Sequence, residues 1–202
     1  MVNLTPPTRE DYYLVLADIL PDDALVVTSL GNASYLWAVI RDRAENFYLE
    51  DAMGLALPLA IGLAVAKPDR PVFIIQGDGG LLMHMGALVT AGAVAPPNLT
   101  ILLIDNGVHG ASGGQALTNT ALDYSALAIA AGLEATPVDH PDAFATALAT
   151  SINVPRTSML TLKTEPDLDI VIPSEPFDPV VIKRRFEDAI GVKRYVPEMF
   201  KT

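Results

Sequence analysis

Two runs constrain the fold of this chain more than any other feature: FIIQ (73–76) and ILLI (101–104) are apolar on both faces, and each leads into a glycine-bearing polar loop. A strand with one wet face alternates in polarity; one that is apolar on both faces belongs inside a parallel sheet covered by helices. Strand-like runs at 24–29, 71–76, 99–105, 135–138 and 158–163, with a shorter one at 47–49, alternate with helical stretches near 33–43, 54–66, 81–94, 124–131 and 141–150. The alternation predicts an α/β fold, a doubly wound and mostly parallel sheet with helices on both faces. Ahead of it, Thr8 followed by Glu10 and Asp11 has the pattern of a helix cap with first-turn acids, leading into YYLVLADIL and stopping before Pro21.

The chain has 202 residues, half of them hydrophobic, enough for one large core. Its 16 prolines and 14 glycines are spread along the chain, so no internal boundary is expected. One domain over 1–202 is predicted, with an extended proline-rich segment and a terminal helix at 165–191. The basic cluster Lys183, Arg184 and Arg185 on that helix reads as a solvated face. With no cysteine, disulfides and thiolate metal sites are ruled out, which suits a cytoplasmic protein. The start, MVNLTPPTREDYY, has no signal-peptide pattern. The longest apolar stretch, 53–66, contains Gly54, Pro58 and Gly62 and falls short of the roughly 17–25 residues of a membrane span. It is expected to be a buried helix.

Net charge is -11, which argues against nucleic acid or an anionic membrane as partner. The distribution says more. Between Arg70 and Arg156 there is no lysine or arginine, while Asp78, Asp105, Asp123, Glu134, Asp139 and Asp142 all fall there. An anion bound in this region is expected to be neutralised by something other than a basic side chain: a metal ion, backbone amides and a helix dipole.

Ligands of an open parallel sheet sit beyond the carboxyl ends of the strands, which here means GDGG (77–80) and NGVHGASGG (106–114). The glycines of Gly77-Asp78-Gly79-Gly80 let backbone N–H groups approach an oxyanion at a helix start. Asp78 would repel a bare phosphate. It becomes useful when a hard cation such as Mg2+ lies between them, taking carboxylate, amide and carbonyl oxygens together with phosphate oxygens. Asn106, at the end of the next long apolar run, is the matching ligand. Either loop alone could be an ordinary turn; the strand context and the spacing of the pair carry the argument.

GDGG…LLIDN resembles the thiamine-diphosphate motif. The likeness extends to NFYL (46–49) with AMGLALPLAIGLA (52–64), to NGVHGASGGQALT (106–118) and to PSEPFDPVVIKRRFEDAIG (173–191). Over residues 28–191 the chain resembles the β subunit of sulfopyruvate decarboxylase and the matching half of phosphonopyruvate decarboxylase. The resemblance implies thiamine diphosphate and Mg2+ as cofactors. It assigns Asp78 and Asn106 to the metal through side chains, Val108 to the metal through its carbonyl, and Gly79 and Gly80 to the diphosphate through amides. Met53 matches the apolar residue that wedges between the cofactor rings and bends them together, core filling being the alternative. The Asp51 carbonyl would accept a hydrogen bond from the aminopyrimidine. His109, where an aromatic is expected, could donate a proton, bind a substrate carboxylate or simply face solvent. Glu50-Asp51 replaces the Gly-Ser of the family pattern and weighs against sulfopyruvate itself.

The resemblance further implies decarboxylation of a small 2-oxo acid to an aldehyde, with the cofactor as electron sink. The glutamate that activates the pyrimidine would come from a separate, α-type pyrimidine-binding subunit, in a hetero-oligomer with several copies of each chain or a homo-oligomer when alone. A non-catalytic Mg2+-diphosphate module and a carboligase subunit are the alternatives. A nicotinamide-binding domain fits poorly, because GDGGLL lacks the third glycine of G-x-G-x-x-G.

Overall fold

The computed structural model describes residues 7–166, 168 and 177–193. Helix α1 (Arg9–Ile19) opens on a capping box, in which the Thr8 N–H donates to Asp11 Oδ2 (2.8 Å) and the Asp11 N–H to Thr8 Oγ1 (3.2 Å). There follow β1 (Leu25–Thr28), α2 (Asn32–Arg41), β2 (Asn46–Tyr48), α3 (Ala56–Ala66), β3 (Val72–Gly77), α4 (Asp78–Met83), α5 (Gly86–Val94) and β4 (Leu99–Asp105). A small hairpin, β5 (Val108–His109) with β6 (Gln115–Ala116), precedes α6 (Tyr124–Ala130), β7 (Glu134–Val138), α7 (Pro141–Asn153), β8 (Ser158–Lys163) and α8 (Pro179–Ala189).

Among the described residues the main sheet has the order β2-β1-β3-β4-β8-β7, and every neighbouring pair is parallel. The expected doubly wound α/β fold is therefore present. Successive residues of a strand point to opposite faces, and the burial divides accordingly. Leu25, Val27, Val72, Ile74, Leu99, Ile101 and Leu103 pack with α3, α5 and α6, whereas Val26, Phe73, Ile75, Leu102 and Ile104 pack with α1, α2 and α7. Each such aliphatic side chain contributes about 1.5–3 kcal/mol by leaving water. This is why the FIIQ and ILLI runs tolerate no polar alternation.

From β1 the chain passes first to β2 on one side and then to β3 on the other, so the winding reverses between β1 and β3. At such a switch point the loops leaving the two strands diverge and a crevice opens.

Three expectations need correction. The helix anticipated over 81–94 is two helices, because His84 leaves helical geometry (φ -141°, ψ 52°) and Gly86, a weak helix former, starts α5. That bend turns Ala87, Leu88 and Ala91 into the core beside α3. The β5–β6 hairpin lies where only a loop was expected. The basic cluster on α8 is not simply solvated, since Arg185 pairs bidentately with Asp42 at 2.7 and 2.8 Å beside the Tyr48 ring. Most of the expected proline-rich segment lies outside the described residues. Among them, no helix is long and apolar enough to cross a membrane.

Candidate functional site

A cleft of about 280 Å3 opens at the switch point, lined by the β1–α2 connection, the Gly77–Gly80 loop, Met53-Gly54 and the segment following β4. The loops are fixed by their own polar groups. The Ser34 hydroxyl donates to the Ser29 carbonyl (2.7 Å) and lies 2.6 Å from Thr28 Oγ1, which pins the turn before α2.

Asp78 is the first residue of α4 and is 1% exposed. Its Oδ1 accepts the Gly79 N–H (2.7 Å), and its Oδ2 accepts the N–H groups of Asn106 (3.0 Å) and Gly107 (2.7 Å). Parallel pairing of Gly77 with Ile104 sets this reach from one strand end to the next. Burial pushes the Asp78 carboxyl up from its ordinary value, the three amides oppose that, and Asp105 adds to it. Among the described residues no lysine or arginine pairs with Asp78, and Lys163 is engaged by Asp105 at 3.2 Å. Two carboxylate oxygens with about four lone pairs still leave room for a cation beside the three amides.

Asn106 completes the corner. Its Oδ1 accepts the Val108 N–H (3.1 Å) and retains a second lone pair, and both residues line the cleft. Among the described residues no cluster of three His, Cys, Asp or Glu could hold a metal. One carboxylate, one amide and carbonyl oxygens are instead the donor set of a hard cation that keeps phosphate or water ligands.

Neighbouring side chains closely approach the backbone at glycines 79 and 80. A Cβ on Gly79 would lie 2.6 Å from His109 Nδ1, and one on Gly80 would overlap the buried Gln76 side chain. His109 is thus half-buried against the loop and lines the cleft, not a residue facing bulk solvent. Gly54 has φ +82° and packs against Met83, His84 and the Gly80 carbonyl, which accounts for the glycine after Met53. Met53 itself is 39% exposed and borders the cleft, so it does not fill the core.

The structure therefore brings Met53, Gly77, Asp78, Gly79, Gly80, Asn106, Val108 and His109 to one cleft. Asp51 is not among its lining residues; it is exposed, with φ 59°. Beside it, burial and then the Asp51 charge push the Glu50 carboxyl up. Sequence spacing missed Arg9 and Asn32, which also line the cleft. Residues 71–155 carry no lysine or arginine, as the sequence shows, yet the cleft is not without a basic side chain, since α1 brings Arg9 to its lining from outside that stretch. The available signal was an arginine directly after a helix cap, where the macrodipole disfavours a cation.

A family model described as the thiamine pyrophosphate enzyme C-terminal TPP-binding domain matches residues 31–162, from the start of α2 through β8. The chain belongs to that family. As a member of the TPP-binding domain family it is 44% identical, over 149 residues, to phosphonopyruvate decarboxylase of Streptomyces viridochromogenes, covering 71% of this chain and 37% of that one. It thus spans less than half the length of that relative. Sulfopyruvate decarboxylase subunit beta of Methanococcus maripaludis is 31% identical over 183 residues, covering 91% of this chain and 97% of the subunit. In fold it is similar to a thiamine diphosphate-dependent 4-hydroxybenzoylformate decarboxylase of Rhodococcus jostii, with a TM-score of 0.73 over 84% of this chain and 34% of that one at 22% identity.

Proposed function

We propose that this chain is the diphosphate-binding subunit of a thiamine-diphosphate-dependent 2-oxo acid decarboxylase that works with a separate pyrimidine-binding chain. The observation that carries the reading is Asp78, a buried carboxylate without a basic partner, set against Asn106 at the switch-point cleft. Family membership supports the cofactor, and the name and near-complete coverage of the sulfopyruvate decarboxylase β subunit support a divided enzyme. A cysteine-free composition suits a cytoplasmic setting.

The residues present fit the group. Glycines 79 and 80 leave space where side chains would intrude, Asp78 has no basic partner among the described residues, and Asn106 and Val108 line the same cleft. Asp78, Asn106 and the Val108 carbonyl would hold Mg2+. The Gly79 amide already donates to Asp78, which leaves the Gly80 amide, in the first helical turn, for the diphosphate. Bound thiamine diphosphate would supply an electron sink for loss of CO2 from a 2-oxo acid. Met53, exposed at the cleft mouth, would keep the cofactor bent. The Asp51 carbonyl would orient the aminopyrimidine, and His109, braced on Gly79, would hold a proton or a substrate carboxylate near the reacting end.

Mixing the chain with candidate partner chains and measuring CO2 release from 2-oxo acids tests the proposal. Cofactor binding without CO2 release from any combination would favour a non-catalytic module. For Met53→Ala, affinity for thiamine diphosphate is expected to stay within about threefold of wild type, while turnover in the reconstituted complex falls at least about tenfold, because orientation rather than anchoring is lost. Equal losses in the two measurements would contradict that role.

Assembly gives a further expectation. Met53, Leu55 and Leu59 on the α3 side and Met83, Met85 and Val89 on the α4–α5 side are all exposed, and Gly54 brings these two sides together beside the cleft. A permanent interface covering them would bury more than roughly 2,000 Å2 in total. The isolated chain should self-associate or dissolve poorly, and with its partner it should form a hetero-oligomer with at least two copies of each chain. Sedimentation followed by an activity assay checks this; a monodisperse monomer that decarboxylates unaided would overturn it.

A further inference from the structure

Arg9 stands where a folded chain disfavours a cation. It occupies the first turn of α1, at the positive end of the helix dipole, and is only 4% exposed. No hydrogen bond or ion pair engages it among the described residues, and its buried Nε has no partner. A guanidinium removed from water without an acceptor is strongly unfavourable. The packing nonetheless holds it in place. The Tyr12 hydroxyl is 3.2 Å from the Lys163 carbonyl to which it donates, the Tyr13 ring meets Trp37 edge-on, and the Glu165 N–H donates to the Pro7 carbonyl (3.4 Å).

Asn32 repeats the pattern from a neighbouring element. It is the first residue of α2, a ten-residue helix without a side-chain cap, is 7% exposed, and its buried Nδ2 lacks an acceptor. Both residues line the cleft that holds Asp78 and Asn106. One part of the cleft wall thus offers unanswered donors and the other an unanswered carboxylate. A lone carboxylate ligand would satisfy only the donors, and a lone cation only Asp78. A diphosphate carrying a divalent cation satisfies both.

Resting on the thiamine-diphosphate reading above, we propose that Arg9, delivered by α1, binds the outer phosphate of the cofactor directly. Anchoring is then shared between a metal-dependent pole at Asp78 and Asn106 and a metal-independent pole at Arg9. The second pole distinguishes a diphosphate from a monophosphate.

Calorimetric titration of the full chain with thiamine diphosphate and with thiamine monophosphate, both at saturating Mg2+, tests this. In Arg9→Met the preference for the diphosphate should fall about 30-fold. Arg9→Lys should fall between that variant and wild type, because an ammonium keeps the charge and loses the planar fork. The ligand-free Arg9→Met chain should melt at the wild-type temperature or above, since an unpaired buried charge has been removed. An unchanged preference overturns the proposal, and so does a ligand-free variant that melts well below wild type, which would make Arg9 a structural prop. Inorganic pyrophosphate with Mg2+ separates this inference from the proposed function. Pyrophosphate binding that Arg9→Met weakens supports the second pole even where thiamine diphosphate itself fails to bind. A wild-type chain that binds neither ligand overturns both.

Discussion

Asp78→Ala is expected to lower the affinity for thiamine diphosphate at least about 100-fold, the equivalent of roughly 3 kcal/mol, and to abolish its response to Mg2+. Among the described residues lining the cleft, Asp78 is the only carboxylate, the side chain best suited to hold a hard cation. The substitution also strands the N–H groups of Gly79, Asn106 and Gly107, so Asp78→Asn, which keeps an acceptor and loses the charge, serves as the companion. Both variants should lose the Mg2+ response in a calorimetric titration, and the asparagine variant should melt closer to wild type. Whatever affinity survives is expected from Arg9 and should not depend on Mg2+. Tight, Mg2+-dependent binding by Asp78→Ala would remove the basis of the site.

The same carboxylate sets a pH dependence. Because burial holds its folded pKa above the ordinary 3.8, a proton competes with the cation at a higher pH than for a surface aspartate. Mg2+ affinity should fall as pH falls through that range. In the cation-free chain the sign reverses: the raised folded pKa makes protonation stabilising, so this group's contribution is present at low pH and lost as pH rises through the folded pKa.

Gly92→Ala should destabilise the chain by about 2 kcal/mol, although helix propensity alone predicts the opposite. In a helix interior alanine is favoured over glycine by about 1 kcal/mol. At this position, however, a Cβ would overlap the backbone carbonyl oxygen of Ala131 and crowd Gly132. A backbone atom cannot rotate aside, so α5 and α6 must separate, and overpacking of that kind costs about 3 kcal/mol. The clash wins. For a chain of this size the melting temperature should drop by roughly 4–8 °C, measurable by circular dichroism. An unchanged or higher melting temperature would mean that the two helices slide apart at no cost.

Much of the architecture was legible because it depends on local burial. Two-sided apolar runs specify central strands, the Thr8 cap specifies a helix start, and Asp78 and Asn106 follow adjacent strands closely enough for spacing to join them. The bend at His84 was less accessible. Residues 81–94 carry no proline and two glycines, Gly86 and Gly92, neither of which marks His84 as the bend, and the turn is stabilised by burying Ala87 and Ala91 against α3, a gain that exists only once both helices are in place. The hairpin after Asn106 depends likewise on backbone pairing between two-residue strands too short to show a period.

By itself, then, the sequence determined the layered α/β sheet and the meeting of Asp78 and Asn106 at one corner, because both follow from side-chain periodicity and from residues placed at consecutive strand ends. Only the tertiary structure decided that Met53 borders the cleft instead of filling the core, that His109 rests on Gly79, and that Arg9 lines a cleft whose own loops carry no basic residue. Those placements arise where α1, α2 and the loops after β3 and β4 converge. Convergence is set by how helices pack across a finished sheet, and no spacing along the chain encodes it.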